Sequence, residues 1–383
     1  MPNACTALRR NKMVLLIGNY PADEQQSMRR FEELMLRELQ AANVPVKLVQ
    51  PEPIVRRFAP RRLRKWAGYI DKLALFPLKL AAAGCTGDVV HICDHSNAVY
   101  RRRFRKTPVV VTCHDLLAVR GGLGEETDCP ASSTGKLLQR WILRALGQAN
   151  TLACVSPATA ADARRLLPPG NGPAIRIVEN ALNCPYQPLA SNEAWERLSA
   201  FPRLAPDRPF VLHVGSNLRR KNREALIRIF AKTRREWDAE LVIAGEPLSS
   251  TLVAHARAAE IATRIVEIPF PDSELLEALY SVAHALVYPS RFEGFGWPII
   301  EAQACGCPVL CSEAAPMGEI AGEAALRRNV DDEAGFGVDL LTLRDPELRA
   351  RCRELGLRNV ARFEPRRMIE QYIAIYRELG AAA

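Results

Sequence analysis

Short apolar runs alternate with helical patterns in two successive series, and this alternation constrains the fold more than any other feature of the chain. In the first series, residues 14–18, 44–49, 88–92, 108–113, 151–155 and 175–178 read as strands. Phe31, Leu34, Met35, Leu36 and Leu39 recur near the helical period, and helices are expected over 135–146 and 158–167. Residues 185–209 then carry five prolines (Pro185, Pro188, Pro202, Pro206, Pro209) and read as a linker with a short helix near 194–198. The alternation restarts, with strands over 210–215, 241–244, 264–268, 285–288 and 308–311. Helices are expected over 222–236, 273–280, 298–305, 346–363 and 366–379. Strand–helix alternation produces parallel sheets with right-handed crossovers. The 383 residues suit two domains, so an α/β chain of two doubly wound domains facing a cleft is predicted. The expected boundaries are 1–190, 191–365 and a terminal helix over 366–383.

Charge separates the halves. Residues 1–190 hold 27 Lys and Arg against 15 Asp and Glu, while 191–383 hold 25 against 28, so the first half is +12 and the second −3 within a net charge of +9. The densest cationic runs are Arg56, Arg57, Arg61, Arg62, Arg64, Lys65 and Arg101, Arg102, Arg103, Arg105, Lys106. They fit an anionic membrane surface, nucleic acid or a solvated basic face. The second run has a single aromatic, Phe104, and no nucleic-acid reader motif, so no nucleic-acid partner is expected. The apolar stretch 73–83 is interrupted by Pro77 and Lys79, too short and broken for a spanning helix. Residues 1–12 are polar and basic, which reads as a cytoplasmic protein without a secretory signal. The eleven cysteines lack the paired Cys and His spacing of a zinc site, and several end apolar runs as small hydrophobes.

Three clusters carry chemistry. The first runs His213-Val-Gly-Ser-Asn-Leu-Arg-Arg-Lys-Asn222, in which a strand ends at Gly215 and Arg219, Arg220 and Lys221 precede a helix. A strand–glycine–helix turn aims backbone amides and the positive helix end at an anion, so the cluster reads either as a phosphate site or as one of the basic loops that are common on surfaces. The second runs Ser290-Arg-Phe-Glu-Gly-Phe-Gly-Trp-Pro-Ile-Ile-Glu301. Gly294 and Gly296 let the backbone pass close to a ligand, Pro298 suits a first helical turn, and Glu293 and Glu301 offer acceptors to sugar hydroxyls. Trp297 either packs under this loop or lines a pocket. The third, Val111-Thr-Cys-His-Asp115, brings His114 to a strand end.

Glu293 and Glu301 about Gly294-Phe-Gly296, the Arg220-Lys221-Asn222 turn and the His114 strand together resemble the retaining glycosyltransferases of family 4, which have the GT-B fold of two Rossmann-like domains. Weaker echoes at Val155-Ser156, Ile177-Val-Glu-Asn180 and the late 363–376 helix extend the likeness along nearly the whole chain. The resemblance implies that the C-terminal helix crosses back to the N-terminal domain. It further implies a nucleotide-diphosphate sugar as donor, a glycan or lipid-linked acceptor, and retention of configuration. Cofactors are none on this reading: a cationic clamp replaces a metal, and no Asp-x-Asp motif is present. Arg220 and Lys221 would hold the diphosphate, with Gly215 and Arg219 beside it. Glu301 would bind ribose hydroxyls, and Glu293 with the amides of Phe295 and Gly296 the donor sugar. His114 would orient sugar or acceptor. Two departures stand out: Ser216 follows Gly215 where many members have Arg, leaving open whether Arg219 or Arg220 partners Lys221, and residues 19–27 lack the usual Gly-Gly. Alternative readings are another GT-B enzyme, such as a sugar-nucleotide epimerase, or a nucleic-acid-binding protein using the basic half.

Overall fold

The computed structural model describes residues 13–380 apart from 24–25, 83–86, 169 and 171; the sequence reading of 1–12 lies outside the described residues. The chain divides into two compact units. One comprises the described parts of Met1–Leu123, Ala131–Glu179 and Pro365–Ala383, and the other Gly124–Pro130 with Asn180–Glu364.

The first unit is built on six parallel strands: β1 (Val14–Ile17), β2 (Val46–Val49), β3 (Val89–Ile92), β4 (Val109–Cys113), β5 (Thr151–Cys154) and β6 (Ala174–Ile177). Their spatial order is β2-β1-β3-β4-β5-β6. β1, β3, β4 and β5 are buried along their whole length, which explains their unbroken apolar sequences. Helix Pro365–Glu378 closes this unit, burying Met368, Ile369, Tyr372, Ile373, Ile375 and Tyr376 on one stripe. A buried polar chain fixes its register: His91 Nδ1 meets the Tyr376 hydroxyl at 2.6 Å, His91 Nε2 meets Thr112 Oγ1 at 2.7 Å, and Thr112 Oγ1 meets the Tyr372 hydroxyl at 2.8 Å. Burial lowers the His91 pKa to about 3, so the ring is neutral and structural.

The second unit repeats the plan with β7 (Phe210–Gly215), β8 (Glu240–Gly245), β9 (Ile265–Pro269), β10 (Ala285–Tyr288), β11 (Val309–Ser312) and β12 (Ala325–Arg328), ordered β12-β11-β10-β7-β8-β9 and parallel throughout. β12 escaped the sequence reading because Ala325-Leu-Arg-Arg328 is a partly exposed edge strand without an apolar run. The second unit takes up the chain again at Asn180. The proline-rich stretch is not a free linker but part of the second unit. Its helix Ser191–Arg197 is pinned by Arg197 Nη1 to Glu277 Oε2 at 3.0 Å, and the Leu189 amide donates to Ser281 Oγ at 3.1 Å.

Candidate active site

In a doubly wound sheet, ligands bind beyond the carboxyl ends of the strands where the winding direction reverses. In the second unit that reversal lies between neighbouring β7 and β10. The first two sequence clusters leave these two strand ends. A backbone hydrogen bond from the Arg291 amide to the Arg220 carbonyl, 2.8 Å, joins the loops. Asn222 reinforces the junction by taking a left-handed conformation (φ 56°) and donating from Nδ2 to the Pro289 carbonyl at 3.0 Å.

The charged side chains converge there. Lys221 Nζ donates to Glu293 Oε1 at 2.7 Å and to the Tyr288 hydroxyl at 2.7 Å. Arg220 Nη1 donates to Glu293 Oε2 at 2.5 Å and to the Phe292 carbonyl at 3.0 Å. The Tyr288 hydroxyl completes the cluster by donating to Glu293 Oε1 at 2.7 Å. Burial alone would raise the Glu293 pKa, but the Lys221 and Arg220 charges and their hydrogen bonds outweigh it and bring it down to about 2. Two cations share this carboxylate, so the cluster keeps one excess positive charge and is poised for an anion.

Arg219 is not brought into the cluster. Its side chain is 88% exposed and pairs with Asp128 at 3.3 Å. Arg220, and not Arg219, shares Glu293 with Lys221. Gly215 is the last residue of β7 and carries no left-handed φ; a Cβ there would sit 3.5 Å from the Lys221 stem. The conformationally demanding glycine nearby is Gly245, at φ 118° with its Cβ position 2.3 Å from the Gly215 carbonyl oxygen, so only glycine fits. Buried Arg223, which the sequence reading passed over, ties this turn together: its guanidinium donates to the carbonyls of Gly215 (2.6 Å) and Glu246 (2.7 Å) and to Asn217 Oδ1 (2.7 Å). An arginine on a helix's first turn gives no sign in sequence that it points inward.

Gly296, at φ 109°, caps helix Trp297–Ala304 from a conformation that glycine alone adopts readily. The Phe295 ring is buried against Trp297 and Phe363, at centroid distances of 5.8 and 5.7 Å. Trp297 packs beneath the loop, its Nε1 donating to the Ala181 carbonyl at 3.0 Å. Glu301, 4% exposed on the same helix, accepts from Asn183 Nδ2 at 3.1 Å and from the Tyr280 hydroxyl at 3.0 Å. Glu293 is thus held by two cations and a tyrosine hydroxyl, whereas Glu301 accepts from the neutral groups of Asn183 and Tyr280.

His114 belongs to the first unit, just past β4. Its Nε2 donates to the Cys93 carbonyl at 2.9 Å, and Phe31 packs edge-on at 4.7 Å. Burial lowers its pKa, so the imidazole is neutral. The unusual loop after β1 is held inward: the Asn19 amide and Nδ2 donate to buried Glu32 Oε2 at 2.6 and 3.1 Å. A Cβ on Gly18 would come within 2.7 Å of that same oxygen. Among the described residues no group of three or more His, Cys, Asp or Glu is placed to hold a metal, and the described cysteines are not joined in disulfides.

The Glu293 pair implies an acid-dependent stability. A folded pKa of about 2, below the ordinary 4.5, stabilises the fold above pH 4.5, and that contribution is lost as pH falls toward 2. Urea unfolding across that window should show a steeper loss for the wild type than for Glu293→Gln. Parallel slopes would deny the ion pair any part in stability.

Solved structures with this architecture define the class. Sucrose-phosphate synthase from Thermosynechococcus elongatus superposes with a TM-score of 0.75 at 20% identity, over 97% of this chain and 100% of that one. HepE from Anabaena, solved with UDP and glucose, gives 0.72 at 14%, over 96% and 99%. The fold is GT-B. Residues 30–184 match the description Glycosyltransferase Family 4, and residues 196–358 match Glycosyl transferases group 1. The O-antigen chain mannosyltransferase B of Escherichia coli is 29% identical over 259 residues, 64% of this chain and 65% of that protein. An O-antigen chain mannosyltransferase of Salmonella typhimurium is 34% identical over 134 residues, 33% and 36% of the respective chains. The matched regions therefore span less than two thirds of these relatives. The chain belongs to glycosyltransferase family 4.

Proposed function

We propose that this chain is a retaining hexosyltransferase that moves a sugar from a nucleotide-diphosphate donor, a UDP- or GDP-sugar, to a glycan or lipid-linked acceptor at the inner face of the cytoplasmic membrane, as in cell-surface polysaccharide synthesis. The observation that carries it is the convergence of Arg220 and Lys221 on buried Glu293 at the reversal point of the second sheet. Family membership and the O-antigen mannosyltransferase relatives support a hexose donor and a polysaccharide acceptor.

Cleaving the sugar–phosphate bond builds negative charge on the leaving diphosphate. Arg220 and Lys221 stabilise that charge, the arginine through its fork and the lysine as a point charge, and no metal is required. The diphosphate takes over the cations that Glu293 neutralises in the free protein, which releases the carboxylate toward the donor sugar. On this reading Glu301, which accepts from Asn183 and Tyr280, also accepts from the ribose hydroxyls. Glu293 acts by hydrogen bonding and not as a covalent nucleophile; the leaving phosphate accepts the acceptor's proton on the face it departs from. Neutral His114 orients the sugar or acceptor.

Thermal unfolding with UDP, GDP and ADP and their sugars tests the reading. A ligand at 100 times its Kd adds about 2.7 kcal/mol, a shift of several degrees, and one nucleotide should stand out. NMR of the product with that donor should then show the donor's anomeric configuration kept. No shift with any of them would sink the nucleotide site; an inverted product would sink retention alone.

A further inference from the structure

The segment joining β2 to β3 exposes apolar side chains at unusual density. Six of the thirteen exposed large hydrophobics among the described residues lie there: Ile54, Phe58, Leu63, Trp66, Ile70 and Leu78, with Phe58 81% and Trp66 60% exposed. Leu63, Trp66 and Ile70 follow the spacing of one stripe along helix Arg64–Ile70, and helix Val55–Phe58 packs beside it. Arg57, Arg61, Arg62, Arg64 and Lys65 are exposed among them, and residues 54–70 contain no acidic side chain.

The surface is built, not loose. The next carboxylate, Asp71, is 1% exposed and turned inward, where it accepts from the Tyr20 hydroxyl at 2.6 Å and from the amides of Val55 and Arg56 at 2.7 and 3.1 Å. It anchors both short helices while leaving their outer side cationic and apolar. The second basic run adjoins the same segment, since Arg102 and Arg103 line a shallow groove with Leu73, Pro77 and Trp141. Among the described residues no helix is long and apolar enough to cross a membrane.

An exposed apolar stripe within a cationic field matches an anionic bilayer, where side chains enter the headgroup boundary and cations meet lipid phosphates. A second copy is disfavoured, because a two-fold contact would set these arginines against one another. Nucleic acid would use the cations but gains nothing from Ile54, Leu63, Ile70 and Leu78. We propose that residues 54–78 dock this chain on an anionic lipid surface, with Phe58, Leu63 and Trp66 entering the bilayer boundary and Arg57, Arg61, Arg62 and Lys65 facing the headgroups. This deepens the membrane part of the proposed function, yet its test reads lipid binding without any sugar transfer.

The full chain is sedimented with vesicles of phosphatidylcholine alone and of phosphatidylcholine with phosphatidylglycerol. Binding to the anionic vesicles is expected, weakened by salt, with little to the neutral ones. Arg61→Gln and Arg62→Gln should each weaken it about fivefold, and Phe58→Ser with Trp66→Ser by about tenfold or more. These side chains are exposed, so the circular dichroism spectrum and melting midpoint should not change. Brominated lipid should quench tryptophan emission in the wild type but much less in Trp66→Phe. No binding to anionic vesicles at low salt would overturn the proposal, as would wild-type binding by the double serine variant. A concentration-dependent dimer abolished by that variant would assign the surface to self-association, and duplex DNA retained only by the wild type would assign it to nucleic acid; either overturns the lipid assignment. Vesicle binding by a chain that binds no nucleotide would keep this proposal and sink the transferase reading.

Discussion

Lys221→Ala lowers turnover by about two to three orders of magnitude, the loss typical of removing one group that meets charge developing in a transition state. The ammonium sits 2.7 Å from Glu293, and in the proposed mechanism it passes to the diphosphate when donor binds. Donor KM should change less than kcat, because charge on the leaving group grows as the bond breaks. The variant folds: Glu293 retains Arg220 and the Tyr288 hydroxyl, so its carboxylate is not stranded. A stability loss below the ~3–5 kcal/mol of a fully broken buried pair is expected. Lys221→Arg restores the charge but places a planar fork where a compact ammonium sat, and it should recover only part of the rate. Steady-state kinetics beside a far-UV spectrum decide the matter. Wild-type turnover in folded Lys221→Ala would remove the clamp from the mechanism.

Glu301→Gln gives the second large effect, and it should fall on binding. The carboxylate is buried and already accepts from Asn183 and Tyr280. A ribose hydroxyl donating to it would form a charge-assisted hydrogen bond worth about 1.5–3 kcal/mol, so nucleotide affinity should drop roughly 10- to 150-fold in the glutamine variant. Glutamine conserves the volume, and its carbonyl oxygen can still accept from Asn183. Calorimetry with UDP and with 2′-deoxy-UDP isolates the cause: the wild type should prefer the ribonucleotide, and the variant should lose most of that preference. Equal affinities for the two ligands in the wild type would deny Glu301 the ribose.

Much of this molecule was legible in its residues. Eleven of the twelve strands among the described residues fall on apolar runs; β1, β3, β4, β5, β10 and β11 are buried at every residue, and strands buried on both faces of a parallel sheet tolerate little else. Glu293, Gly296 and Glu301 are recognisable at a fixed spacing because a glycine-rich turn into a helix is a local structure, set by neighbours in sequence. The Arg220-Lys221 turn is legible for the same reason. β12 is silent because an edge strand needs no apolar run, and the proline-rich stretch misleads because prolines mark irregular backbone wherever it packs.

What tertiary structure alone decides is which side chains meet across strands distant in sequence. Three adjacent cations are equivalent in sequence; only the loop after β10, bonded backbone to backbone at Arg220, separates Arg220 and Lys221 on Glu293 from solvent-facing Arg219. Arg223, Asn183 and Tyr280 acquire their supporting roles in the same way, and so does Asp71, which turns inward and leaves a cationic surface behind it. Local propensity and hydrophobic pattern are short-range and write themselves into the chain. Electrostatic partnership depends on distance in space, and the fold sets that distance.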